Sequence, residues 1–182
     1  MEKVMESLAY YGQKRGSSIL TKEDLTEMYP DFNLSKRLNN LKDHSFLPSE
    51  CPEDDPMAIE LKEKLLSIGG TRIIMPRTDE DLAKTLSRGQ FWLGDKPKLM
   101  IGQPSQCHYN SSCLYEANKN TTNHVRICTG YALSDDGIWR MHSWCIWAKP
   151  RVNKIIETTV ERVLYYGFVM NEEECEEFSS WY

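Results

Sequence analysis

The sequence predicts an α+β fold: helices first, then one helix feeding a run of antiparallel strands. Three observations predict it. Residues 1–68 carry apolar side chains at helical spacing, residues 125–158 hold three strand-like runs separated by turn chemistry, and a stretch free of helix breakers, 107–118, stands between them. The 182 residues suffice for one compact unit, read as a helical N-terminal region (1–70) and an α+β core (71–182).

In the first region, Val4, Leu8 and Tyr11 recur at helical spacing within residues 2–15, and Gly16 with Ser17 ends the run. Thr21 to Asp24 resembles an N-terminal cap with acids in the first turn, and Pro30 limits the helix that follows. Ser35 is placed to cap another helix, carrying Leu38 and Leu41. Residues 44–56 combine three prolines with a block of acids, a loop composition. Met57, Leu61, Leu65 and Ile68 then mark the apolar face of an amphipathic helix closed by Gly69 and Gly70.

In the second region, residues 71–75 are strand-like, 78–88 helical with Thr78 at the cap, and 92–100 turn-rich. Leu114, Tyr115 and Asn118 share a helical spacing that predicts a helix over 107–118. Strands are predicted at 125–133, 138–147, 152–158 and 163–170. Ser134 to Gly137 has hairpin chemistry, Lys149-Pro150 makes another turn, and the acidic residues 171–178 form a closing helix with a solvated face.

Composition narrows the function classes. The chain is 40% hydrophobic and 27% charged, with a mean hydropathy of −0.56, which excludes disordered, collagenous and membrane classes. No run approaches the roughly 18 uncharged apolar residues of a membrane span. Lys and Arg number 22 against 27 Asp and Glu, a net charge of −5, so a nucleic-acid partner is not expected. The first residues hold glutamates and no apolar core, so a secretory signal is not expected. Cys51, Cys107, Cys113, Cys128, Cys145 and Cys175 include no CxxC pair; the thiols are expected to be reduced and the protein cytoplasmic. The sequons at Asn33, Asn110 and Asn120 are then unused. No phosphate loop or dinucleotide fingerprint is present, and no cofactor is expected.

A cysteine nucleophile needs a thiolate, an imidazole, and a third group that orients the imidazole. Cys107 follows a Pro-containing turn at the predicted start of a helix, where unpaired N–H groups favour a thiolate. His142 and Glu157 lie on predicted neighbouring strands that can bring them side by side. For the oxyanion, the Cys107 N–H is the default donor, with Gln103 and Gln106 as side-chain candidates, of which Gln103 is chosen. Glu157 has an alternative as the ion-pair partner of Arg126 or Arg140. Zinc is the rival for Cys107, His108, His124 and Cys128, but adjacent ligands chelate one ion awkwardly, and His124 and Cys128 lie about 13 Å apart along a strand; no metal is expected. Cys113, Cys128 and Cys145 are expected to be small core residues, and Trp92, Trp139, Trp144 and Trp147 core aromatics.

The ordered set Gln106-Cys107, Arg126-x-x-x-Gly130-Tyr131, His142-x-Trp144 and Glu157-Thr-Thr159 resembles the transglutaminase-like branch of the papain-fold cysteine enzymes, over about residues 100–160. His142 follows Cys107 by 35 residues and Glu157 follows His142 by 15, as in compact bacterial members. The resemblance implies a cysteine-bearing helix packed on an antiparallel sheet, with Cys107 as nucleophile, His142 as base and Glu157 as orienter. It implies hydrolysis of an amide or peptide bond in a protein or peptide substrate through a thioester, as in peptidases, isopeptidases and glutamine deamidases. Three departures stand out: Glu157 where the family has aspartate, His108 directly after the cysteine, and acid-Thr-Thr in place of acid-Pro-Thr. A transglutaminase-like binding or regulatory module without catalysis is the alternative.

Overall fold

The structure is a computed structural model that describes residues 27, 29–38, 52–76, 79–149 and 152–182. The helices predicted over 2–15 and from Thr21, together with Leu41, Thr78 and Pro150, lie outside the described residues. The elements are α1 (Leu34–Arg37), α2 (Pro56–Ile68), β1 (Arg72–Ile74), α3 (Leu82–Arg88), β2 (Gln90–Leu93), β3 (Lys98–Leu99), α4 (Cys107–Asn118), β4 (Val125–Leu133), β5 (Ile138–Lys149), β6 (Val152–Glu157), β7 (Leu164–Val169) and α5 (Glu172–Ser180). The α+β class is as the sequence predicts.

Local chemistry sets the helix ends. The Asp55 carboxylate accepts the Met57 and Ala58 N–H groups at 2.9 and 3.4 Å, and Pro56 opens α2 where an N–H is dispensable. Leu61, Leu65 and Ile68 are buried as predicted, but at the first turn Ala58 takes the buried position and Met57 is exposed. The cap of α1 is Asn33, whose side chain accepts from the Lys36 N–H at 3.1 Å, and not Ser35, which sits inside the helix. Helix α5 opens with a reciprocal capping box between Asn171 and Glu174. Glu174 also binds Arg88 at 2.6 Å, and chiefly that bond holds its carboxyl down to about 2. The acidic helix is therefore only partly a solvated face.

One seven-stranded sheet runs β2-β7-β4-β5-β6-β3, with β1 added parallel to β5. The turn-rich stretch 92–100 contains β3 and the end of β2, strands too short for a periodic signal. β5 organises the sheet. One of its edges pairs antiparallel with β4 from Trp139 to Trp147. The other edge is divided, with β1 at Ile138–Arg140 and β6 from Cys145 onward. Between them, residues 141–144 have no strand partner on that edge among the described residues.

Helices cover one face. α2 and α3 bury Leu61, Leu65 and Leu82 against Tyr131, Leu133, Trp139 and Tyr166. α4 and α5 bury Tyr115 and Cys175 against Ile127, Cys145 and Phe168. Ala58, Leu61, Leu65 and Ile68 of α2, with Leu34 of α1, share one core with the sheet. The opposite face closes on itself: Trp92 of β2 meets Trp144 of β5 edge-on at 5.4 Å although β7 and β4 lie between them, so the sheet is strongly curled. Cys128, Ala132, Trp144 and Tyr165 are fully buried there. Among the described residues, no helix is long and apolar enough to cross a membrane.

Gly130 lies directly across from both His142 and Gly167. Its φ is +151°, and an added Cβ would stand 2.3 Å from the Tyr166 carbonyl oxygen. The backbones of β4 and β7 approach too closely there for any other residue. Gly130→Ala is expected to lower stability by at least about 2 kcal/mol, read from thermal or urea unfolding; a variant with unchanged unfolding would contradict this packing.

Candidate active site

Helix α4 begins at Cys107, as predicted, and packs on β5, β4 and α5. Its buried face is made of Asn110, Ser111, Ser112 and Tyr115, small or polar groups that let the helix lie close to the sheet. The Cys145 thiol donates to the Ser111 carbonyl at 3.6 Å across that contact. Asn110 ties the preceding turn down. Its side chain accepts from the Gln103 N–H at 2.9 Å and donates to the carbonyls of Gln103 and Thr158 at 2.8 and 3.2 Å. Gly102 passes so near that a Cβ would lie 2.4 Å from the Asn110 side-chain oxygen.

The turn brings Cys107 to the open stretch of the β5 edge. The sulfur shares a hydrogen bond with the His142 ring and accepts the backbone N–H groups of Ser143 and His108. An N–H that would otherwise enter a strand ladder is thus spent on sulfur. Burial on its own would raise the Cys107 pKa, but the His142 hydrogen bond and charge, with the two N–H donors, bring it below the ordinary thiol value.

His142 is 2% exposed and Glu157 fully buried. The pairing of Cys145 with Ile156 sets Glu157 diagonally from His142 on the same face of the sheet. A glutamate spans this diagonal: its carboxylate meets His142 Nε2 at 2.9 and 3.3 Å. The Thr159 N–H, the Thr159 hydroxyl and the Tyr165 hydroxyl each donate to the same carboxylate at 2.8 Å. Burial would raise the Glu157 pKa, and the His142 interaction with these donors outweighs it, holding the carboxyl below its ordinary value. Burial would likewise lower the His142 pKa, and hydrogen bonds to Cys107 and Glu157 raise it instead. With Nε2 taken by Glu157, Nδ1 is the ring nitrogen left for the sulfur. The arrangement favours a thiolate beside an imidazolium.

Each predicted site residue can now be placed. Cys107, His142 and Glu157 come together. Arg126 pairs with Glu172 at 2.9 Å and Arg140 with Asp136 at 2.7 Å, so neither arginine is the partner of Glu157. Gln103 and Gln106 are exposed in the turn, and Gln106 is the cap residue of α4 without making a side-chain cap. Cys128 is fully buried behind Trp144, far in environment from exposed His124. Among the described residues no group of three or more His, Cys, Asp or Glu is arranged to hold a metal ion. Cys113 is exposed on α4, not a core residue as predicted; Cys128 and Cys145 are core. Cys107, Cys113, Cys128, Cys145 and Cys175 are all free thiols.

Sequence reasoning missed Asn110, Ser143 and Tyr165. Asn110 lies one helical turn after Cys107, a spacing that could have drawn notice. Tyr165 reaches Glu157 only through the curl of the sheet.

The shifts fix a pH dependence. The raised His142 pKa contributes stability below the ordinary value of 6.5 that is lost as pH rises through its folded value. The lowered Glu157 pKa contributes stability above the ordinary 4.5 that is lost as pH falls through its folded value. Both contributions are present between about pH 4.5 and 6.5, so Glu157→Gln is expected to destabilise most in that window. Urea unfolding across pH checks this; a penalty that is the same from pH 5 to 9 would contradict it. No family model, curated protein or solved structure matches this chain.

Proposed function

We propose that the chain is a cysteine-dependent amide hydrolase with a transglutaminase-like papain fold. The observation that carries this reading is the placement of His142, one ring nitrogen on the buried Glu157 carboxylate and the other on the Cys107 sulfur at a helix start. That is the geometry nucleophilic acyl transfer requires. In the first half-reaction the Cys107 thiolate attacks the amide carbonyl carbon, forming a C–S bond and a tetrahedral oxyanion. The Cys107 backbone N–H stabilises the oxyanion, with Gln103 in the adjoining turn as the side-chain donor. The C–N bond breaks, and the imidazolium of His142 delivers its proton to the departing amine. In the second, His142 Nδ1 takes a proton from water, the hydroxide attacks the thioester, and the acid leaves as Cys107 regains its thiolate. Glu157 keeps the ring in one orientation throughout and balances its charge whenever it is protonated.

The surface around Cys107 suits a peptide or protein substrate. Met100 and Ile101 are exposed, and the Met100 N–H donates at 2.9 Å to the carbonyl of Glu157, which places this apolar segment beside the site. Exposed Val160 follows on the β6 side, and half-exposed Tyr182 stands by α4 on the other. A peptide chain carrying apolar side chains can lie between them.

Cys113 supplies an internal reference for the test, because it is more exposed than Cys107 on the same helix. Iodoacetamide at pH 6 is expected to label Cys107 at least about tenfold faster than Cys113, with the advantage lost in His142→Ala. Peptide mapping by mass spectrometry reads both sites at once. Cys113 labelling faster than Cys107, in a chain that remains folded, would overturn the enzyme reading and leave the non-catalytic module.

A further inference from the structure

His108, the residue after the nucleophile, has no part in the steps above, yet it is partly buried and directed at β5. Its Nδ1 lies 2.7 Å from Ser143 Oγ. The Ser143 hydroxyl also bonds Thr129 Oγ1 at 3.2 Å, so Ser143 Oγ is held between the His108 ring and β4. Ser143 is fully buried, and its backbone N–H donates to the Cys107 sulfur. Two consecutive residues of α4 are therefore fastened to two consecutive residues of β5: Cys107 to His142 and the Ser143 N–H, and His108 to the Ser143 hydroxyl.

We propose that His108 is a positioning residue that holds Ser143, and with it the N–H donated to sulfur, in register with the nucleophile. The inference rests on the cysteine-hydrolase reading and adds a role that the triad does not contain. The ring is itself held in place, stacked with Tyr182 at 5.9 Å and 20° and set edge-on against Phe178 at 5.8 Å. The charges acting on it are His142 from β5 and Asp81 ahead of α3; Cys107 adjoins it in the chain and the Tyr182 ring, after α5, stacks on it. Burial first, then the charge of His142, keep His108 below the ordinary imidazole value, and Asp81 opposes this. A His108 that favours the neutral form avoids a second cation beside His142 while keeping its bond to Ser143.

Loss of the clamp weakens donation to the thiolate, so protonated sulfur gains ground and the acid limb of Cys107 reactivity moves upward. The experiment is the pH profile of iodoacetamide alkylation at Cys107 in the full chain, for wild type, His108→Ala, His108→Asn and Ser143→Ala, with thermal unfolding of each. His108→Ala and Ser143→Ala are expected to shift the acid limb up by about one pH unit. His108→Asn, whose amide can bond Ser143 Oγ from nearly the Nδ1 position, is expected to keep the wild-type limb. An unmoved limb in His108→Ala and Ser143→Ala, whatever their melting temperatures, would overturn the positioning role. A wild type that itself shows no reactivity below the ordinary thiol range would instead overturn the hydrolase reading. Should His108→Ala fail to fold, Ser143→Ala against wild type still decides the question.

Discussion

The second edge of β5 is shared by two strands that do not meet, and the site depends on the gap between them. β1 occupies the edge as far as Arg140 and β6 takes it up again at Cys145. A continuous neighbour would consume the Ser143 N–H in a ladder and close the approach of α4. With the edge open, a backbone donor that must find a partner in the interior finds a sulfur. The long strand is anchored on its opposite edge by nine cross-strand pairs with β4, so the gap is held by structure on three sides.

A buried carboxylate beside a buried imidazole is costly unless every polar atom is engaged. Here it is. Glu157 receives His142, two donors from Thr159 and one from Tyr165. Tyr165 stands on β7, two strands from β5, and reaches the carboxylate because the sheet curls. The same curl brings Trp92 to Trp144, whose ring stacks on His142 at 6.2 Å. Fold curvature and site electrostatics are therefore one feature: flattening the sheet would strip the carboxylate of a donor and expose the imidazole.

Much of this was legible in the sequence where local chemistry decides. The helix Cys107–Asn118 and the strand Val125–Leu133 match the predicted bounds residue for residue, because a Pro-containing turn starts the first and an Asp-Gly turn ends the second. Cys107, His142 and Glu157 were readable as a set from what a cysteine nucleophile requires and from the motif order. What escaped depended on alternatives that local sequence leaves nearly equal, such as Asn33 over Ser35 as a cap, or Ala58 over Met57 on the buried stripe. Other losses were long-range. β2 and β3 are strands because β7 and β6 pair with them, and Cys113 is exposed because α4 turns a polar face to the sheet. His108 read as a departure from the family pattern until Ser143 was seen beside it. A diagonal across strands, or a hydroxyl two strands away, leaves no periodicity to detect.

The opposed shifts of Cys107 and His142 favour a thiolate–imidazolium pair. Ultraviolet absorbance near 240 nm reports thiolate directly, and the difference between wild type and Cys107→Ser isolates this sulfur from the other thiols. A thiolate signal is expected already below the ordinary thiol pKa of 9.0, and His142→Ala is expected to move it back up. A difference signal that emerges only near pH 9, and is the same with or without His142, would contradict it.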